Sequence, residues 1–299
     1  MHREGQLSMQ DDIKKHFEYL EKLSNLKLNN SLIASLTRRV DSTDLNRREK
    51  QLGADLYRKS GQLAQSISIY NDIDPDKNRI SHIAEVNGPS GAKMPILHLK
   101  SQDKGNGFSS SPLFMMDDFL QQPLLDELFQ YAIDNQPDYF IDQRNRYILK
   151  NLGKFTSHFQ NYLSDNLDIM SKCLNVEEFS VRHFEIKLTN YLDGVFFKPH
   201  HDGRYRLEED RGTRQITWLY YFHQQPKQFD GGDLYVFDTN TENNSYQSCD
   251  FTKVVTQHNR FVAFPSCYFH AVAPIVLPTS SFGSGRMAVS GHIQISETT

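Results

Sequence analysis

From residue 183 onward the chain runs in short segments whose side chains alternate in character. A two-residue period fits only an extended strand with one buried face. Phe184, Ile186 and Leu188 alternate with His183, Glu185 and Lys187, which marks 183–188 as such a strand. Further strands are expected at 195–198, 214–222, 233–238, 260–264 and 286–295, with Gly231-Gly232 as a turn between two of them. Upstream, Leu113–Met116 reads as a strand leading into a helix near 121–135. A second helix is expected over about 154–174, with Phe155, Phe159, Tyr162, Leu163 and Met170 on its buried side. Many short strands separated by turns bury their apolar faces best by rolling into a sandwich or jelly-roll barrel.

The N-terminal quarter follows a different period. Ile13, Phe17 and Leu20 fall at helical spacing, as do Leu63, Ile67 and Tyr70, and no proline precedes Pro75. Residues 52–70, with small Ala54 and Gly61, resemble one degenerate tetratricopeptide-type helix pair. Stacked repeats need several copies, so a plain helical bundle is the simpler reading. Residues 76–111 are rich in turn formers and lose periodicity, apart from a short strand at Ile96–Leu99. The expected division is therefore a helical segment over 1–75, a connector over 76–111 and a barrel domain over 112–299.

Composition narrows the partners. Thirty-three basic residues stand against 37 acidic ones, for a net charge of −4, and the first 60 residues hide no basic tail. A nucleic-acid binder needs a concentrated basic surface, so none is expected. No apolar run follows Met1-His2-Arg3-Glu4-Gly5, and no stretch approaches 18 apolar residues, so neither a secretory signal nor a membrane span is expected. Cys173, Cys249 and Cys267 are few, odd in number and widely spaced. They suggest no disulfide framework and fit a reducing cytoplasm.

One constellation carries chemistry. His200 and Asp202 lie two apart at a strand end, so their side chains share a side while His201 points away. His270 follows 68 residues after Asp202. Two imidazoles and one carboxylate on one face of an iron(II) ion leave the opposite face open, which is the arrangement of non-heme iron oxygenases. A lone His-x-Asp pair is common by chance, and a chain with 12 histidines nearly always offers a third.

The surrounding residues give the constellation weight. Residues 191–202, Tyr-Leu-Asp-Gly-Val-Phe-Phe-Lys-Pro-His-His-Asp, resemble a motif of the prolyl 4-hydroxylase-like 2-oxoglutarate/iron(II) dioxygenases. So do Thr217–Tyr221, Gly231–Leu234, Phe261–Pro265, His270–Pro274 and then Arg286, all in the family's order. The resemblance spans about 112–295. It implies an α+β protein with a double-stranded β-helix (jelly-roll) core and supporting helices, here preceded by the small helical segment. It implies His200, Asp202 and His270 as iron ligands, and Arg286 on the distal carboxylate of 2-oxoglutarate, where a guanidinium fork matches a carboxylate. Tyr221 and Tyr191 correspond to positions near that cosubstrate, though each could equally be a core tyrosine. Alternation places Arg286, Ala288, Ser290 and His292 on one face, so His292 and Ser290 are candidates for the substrate pocket. The family often carries tryptophan near His292, and this departure leaves the substrate side open.

The implied activity is hydroxylation of an unactivated C–H with release of succinate and CO2. Related halogenases carry a small residue where Asp202 stands, so the carboxylate argues for hydroxylation. Fe(II), 2-oxoglutarate and O2 are the expected cofactors and cosubstrates, with ascorbate as a candidate accessory. The helical segment favours a peptide or protein substrate, with proline the default residue by analogy. A free amino acid or other small molecule is the alternative, and a non-catalytic protein-binding scaffold is the rival from another class. The N-terminal helices could also serve oligomerisation.

Overall fold

The computed structural model describes residues 2–24, 47–73, 85–89, 91–203, 213–279 and 281–295. The parts of the helical segment at 25–46 and of the connector at 74–84 lie outside the described residues.

Alternation builds the core. In the strand Arg214–Phe222, Ile216, Trp218, Tyr220 and Phe222 face a layer of helices, while Tyr221 faces the opposite way. This strand is central to an eight-stranded antiparallel sheet. The order runs Leu97–Leu99, Leu113–Met116, Arg260–Pro265, Arg214–Phe222, Arg286–Ile295, Val181–Tyr191, Tyr147–Leu149 and Phe140–Ile141. Helices Gln122–Asp134, Lys154–Asp165 and Leu167–Leu174 cover its outer face. Trp218 stacks on Phe159 there, with ring centroids 5.5 Å apart. Burying each such aromatic side chain contributes about 1.5–3 kcal/mol.

The inner face packs on a second sheet, ordered Phe197–His200, His270–Val272, Leu234–Asn240, Phe108–Ser109 and Asp103–Gly105. Ser245–Val254 also pairs with Leu234–Asn240. Tyr221, Val262, Phe264 and Ala288 of the large sheet meet Leu234, Val236 and Val272 of the small one. Two antiparallel sheets facing across one core form the double-stranded β-helix, and strands such as Arg260–Pro265 are buried on both faces.

The small sheet is covered in turn. Phe17 and Leu20 of helix His2–Ser24 pack on Tyr235, Phe237 and Phe251. Helices Arg47–Lys59 and Leu63–Ile73 form a hairpin whose Ala54, Leu63 and Ile69 join the inner core with Leu99 and Leu113. The described N-terminal helices are thus a cladding of the barrel.

Three details depart from expectation. The helix expected over 154–174 breaks at Asn166, whose φ of −113° and ψ of 9° are not helical. Its side-chain amide donates to the Tyr162 carbonyl at 2.9 Å, an interaction with which asparagine competes against the helix. The strand Ser245–Val254 was not foreseen, because its sequence alternates poorly. It is fixed by pairing with Leu234–Asn240 across a turn in which the Asn240 side chain accepts from the Glu242 and Asn243 amides. The connector holds more sheet than expected: beside the foreseen strand, Leu97–Leu99, which pairs with Leu113–Met116, Asp103–Gly105 and Phe108–Ser109 form a hairpin at the small sheet's edge.

Candidate metal centre

The strands Phe197–His200 and His270–Val272 are antiparallel neighbours, and their register sets His200 directly opposite His270. Seventy residues of separation therefore collapse to a cross-strand pair with ring centroids 4.2 Å apart. Asp202 follows where the strand has ended. Its backbone N–H and that of Gly203 both donate to the Ser266 carbonyl at 2.9 Å, which folds the carboxylate back toward the rings. Nε2 of His200 lies 3.6 Å from Asp202 Oδ1, and Nε2 of His270 lies 3.3 Å from Oδ2. One ligand atom from each residue falls within 4.8 Å of the others. His201 turns away, its ring edge-on to Phe269.

Both imidazoles are oriented by the same device. Nδ1 of His200 bonds the Lys198 carbonyl at 2.8 Å, and Nδ1 of His270 bonds the Tyr268 carbonyl at 3.1 Å. A carbonyl only accepts, so Nδ1 must carry the proton, and each Nε2 lone pair is left facing the common point. Burial first, and then the neighbouring His270 ring, push the His200 pKa down to about 3, so its ring is neutral as a ligand must be. Burial works to raise the Asp202 pKa, but the His270 and His292 rings outweigh it and hold the carboxylate ionised well below its usual range. The Thr217 hydroxyl donates to Asp202 Oδ2 at 3.0 Å and is itself 2.9 Å from the Ser266 hydroxyl. Two imidazole Nε2 atoms and one ionised carboxylate, gathered around one point, suit a divalent iron.

Arg286 begins the last strand opposite Tyr191 and is 1% exposed. Its guanidinium carbon lies 4.4 Å from the centroid of the Tyr191 ring and 5.1 Å from that of Tyr221. Nε donates to the Gly232 carbonyl at 3.3 Å, and no carboxylate of the described residues pairs with it. Gly231 and Gly232 both have positive φ, and a Cβ at Gly232 would stand 2.7 Å from Arg286 Cδ, so this turn needs glycine for the arginine to lie where it does. Tyr221 is fully buried, its hydroxyl finds no partner among the described residues, and burial pushes its pKa up to about 12. A buried guanidinium without an acid and a buried hydroxyl without a partner make a pocket that fits a carboxylate.

His292 and Ser290 lie on the same face as Arg286. His292 bridges two acids, with Nδ1 3.0 Å from Glu185 Oε2 and Nε2 3.2 Å from Asp202 Oδ2. It thus reaches a candidate ligand and does not merely line the pocket. Glu185 is clamped from the other side by both guanidinium branches of Arg214, at 2.8 and 2.6 Å, and by the Gln294 amide. Glu185, Thr217 and Arg214 were not singled out from the sequence. The alternation of 183–188 already put Glu185 on the polar face of its strand, but only the register Glu185 to His292 to Thr217 shows that this face meets the candidate ligands. His223 is buried against Phe229 and His258 and is not part of this cluster.

Comparison with known proteins agrees with this chemistry. The sequence model of the 2OG-Fe(II) oxygenase superfamily matches residues 186–294. An uncharacterized PKHD-type hydroxylase of Synechocystis sp. is 28% identical over 211 residues, covering 67% of this chain and 68% of the relative. Among solved structures, a Pseudomonas putida prolyl-4-hydroxylase is 18% identical with a TM-score of 0.46, covering 62% of this chain and 92% of that one. A viral collagen prolyl hydroxylase from Paramecium Bursaria Chlorella virus-1, solved as a 2OG complex, is 14% identical with a TM-score of 0.42, covering 62% and 96%. Among the described residues no helix is long and apolar enough to cross a membrane. Over residues 186–294 of its barrel the chain is therefore similar to the 2OG-Fe(II) oxygenase superfamily, a family of oxidoreductases of the dioxygenase class.

Proposed function

We propose that the protein hydroxylates an unactivated C–H of a peptidyl side chain, with proline the default residue, and releases succinate and CO2. The convergence of His200, Asp202 and His270, together with a buried Arg286 that pairs with no acid among the described residues, carries the proposal. His200, Asp202 and His270 would hold iron(II) through Nε2, a carboxylate oxygen and Nε2. Iron with 2-oxoglutarate and O2 supplies the oxidation, coupling decarboxylation of the cosubstrate to hydroxylation. The chain's own part is placement. Lys198 and Tyr268 carbonyls fix the ring tautomers, Thr217 and His292 hold Asp202, and Arg286 with Tyr221 takes the distal carboxylate. The sheets and the apolar side chains between them exclude water from this end of the pocket.

The preference for a peptide over a free amino acid is carried over from the N-terminal helical segment; a cleft of about 1120 Å³ lined by His201, Gly203, Arg214 and residues 174–180 has none of the three candidate ligands in its walls. Anaerobic titration of the Fe(II) protein with 2-oxoglutarate should give a metal-to-ligand absorption band. A peptide and amino-acid screen, with and without ascorbate, should then find succinate release matched by a mass gain of one oxygen. Asp202→Ala should cut that release to below about 1%, since even an outer partner of a ligand is worth 10–100-fold. A protein that gives neither the band nor succinate would be the non-catalytic scaffold instead.

A further inference from the structure

The wall formed by Val181–Tyr191 and Arg286–Ile295 is a ladder of facing pairs: Glu185 with His292, Lys187 with Ser290, Thr189 with Ala288, and Tyr191 with Arg286. The register holds without a bulge over these pairs, so alternation puts the odd-numbered residues from 185 to 191 on one face. Both ends of that face are identified by contacts. At one end His292 joins Glu185 to Asp202, and at the other Arg286 lies over Tyr191. Ile186 and Leu188 point the other way, into the helix layer. Lys187 therefore stands midway between the metal ligands and the cosubstrate arginine, on the side that faces them.

The charges around it are otherwise spoken for. Arg214 is bidentate on Glu185, and Arg146 is bidentate on Asp142 at 2.9 and 2.6 Å. Asp202 is committed to the metal and Arg286 to the cosubstrate in the reading proposed above. The Lys187 ammonium makes no hydrogen bond or ion pair among the described residues, though it is part-buried. Burial first, then Arg146 and Arg214, lower its pKa, against the pull of Asp202 and Glu185. A part-buried ammonium without an acid is a costly arrangement that a bound anion relieves. The two carboxylates of 2-oxoglutarate already have the metal and Arg286 to receive them. Lys187 is a part-buried cation with no acid among the described residues, and so is available to the other reactant.

We propose that Lys187 is the specificity residue of this site and receives a carboxylate of the molecule being hydroxylated. The carboxylate is either the side chain of an acidic residue beside the target in a peptide or the α-carboxylate of a free amino acid. This inference rests on the dioxygenase reading. The probes are matched pairs: N-acetyl-Pro-Glu-amide against N-acetyl-Pro-Gln-amide, the Asp and Asn equivalents, and free L-proline against L-prolinamide. Half-saturation is read twice for each probe, from the shift of the anaerobic metal-to-ligand band and from succinate release.

In the wild type the acidic member of at least one pair should bind at least about 10-fold better than its amide, the scale of one charge-assisted hydrogen bond. The pair that responds tells a peptidyl acid from an α-carboxylate. Lys187→Met keeps the stem and should collapse that ratio to about one, while Lys187→Arg should keep most of it. The 2-oxoglutarate half-saturation should stay within about twofold in both variants, which also reports that the barrel is intact. If Lys187→Met instead raises the 2-oxoglutarate requirement, the lysine serves the cosubstrate and the proposal falls. It falls equally if the wild type gives the band yet prefers no acidic probe to its amide. A wild type with neither band nor succinate defeats the dioxygenase reading itself, which is a different failure.

Discussion

Arg58 and Arg286 are both 1% exposed, and what separates them is the supply of acceptors. Arg58 sits in helix Arg47–Lys59 and reaches across to the small sheet. It meets Asp238 with both terminal nitrogens at 2.7 and 2.6 Å, Thr252 at 3.2 Å and Asp55 at 2.8 Å. Burial would lower its pKa, but Asp238 and Asp55 more than reverse this and raise it. Among the described residues Arg286 has one backbone carbonyl, two aromatic rings and no acid. A buried guanidinium that finds every partner inside its own chain is a fastener. One that finds almost none is held ready for a partner from outside. Burial alone would have ranked the two alike, and only the count of acceptors tells them apart.

The contrast is broken most sharply by stability. Arg58→Met strands the Asp238 carboxylate, itself 1% exposed, and should cost about 3–5 kcal/mol in urea unfolding. Adding Asp238→Asn should recover much of that loss, because the uncompensated charge goes. The 2-oxoglutarate half-saturation of the folded fraction should not move. Arg286→Met should behave the opposite way. Without cosubstrate its unfolding midpoint should hold or rise, because an unpaired buried charge has been removed. Its 2-oxoglutarate requirement should rise by roughly 10–100-fold, the worth of a charge-assisted pair. If Arg286→Met destabilises the protein as Arg58→Met does, the distinction between fastener and receptor fails.

How far each arginine could be read from the sequence follows from the same difference. Arg286 stood out as a candidate because it closes a series of chemical types in a fixed order: His200, Asp202, the Gly231-Gly232 turn, His270, then the arginine. The barrel was legible for a related reason, since alternation in 183–188 or 214–222 is a local signal. Arg58 was not, because its acid lies 180 residues away and nothing local marks Asp238 as its partner. Ser245–Val254 was missed because pairing with a neighbour, and not its own alternation, makes it a strand. The support around the metal ligands was hidden in register. That His200 faces His270, Glu185 faces His292 and Lys187 faces Ser290 cannot be counted along one strand.

His292 tests the site end of the contrast at smaller scale. It touches Asp202 from the side away from Thr217, so it shares the task of holding that carboxylate. His292→Ala should weaken ferrous binding by about 10-fold, the low end for an outer partner because Thr217 remains. Anaerobic iron titration reads this without turnover. Wild-type iron affinity in that variant would return His292 to the role of pocket lining.

The smallest effect concerns the fastener and is read by pH. Asp55 lies beneath Arg58, the Lys104 ammonium and the Tyr70 hydroxyl. Burial alone would raise its pKa, but Arg58 and then Lys104 overcome this and bring it to about 2, below the 3.8 of a free aspartate. A carboxyl whose folded pKa is depressed contributes stability that is complete above the unfolded value and disappears as pH falls through the folded one. Asp55 should therefore support the helix hairpin fully above about pH 4 and lose that contribution between about pH 4 and 2. With allowance for its partial exposure the loss is about 1 kcal/mol. Asp55→Asn should lower stability at pH 7 and flatten the acid limb of the unfolding curve over that window. The metal centre has no share in this change, so half-saturation for 2-oxoglutarate at neutral pH should match the wild type. A limb equally steep in Asp55→Asn would mean that Asp55 does not carry the acid sensitivity of the helix hairpin.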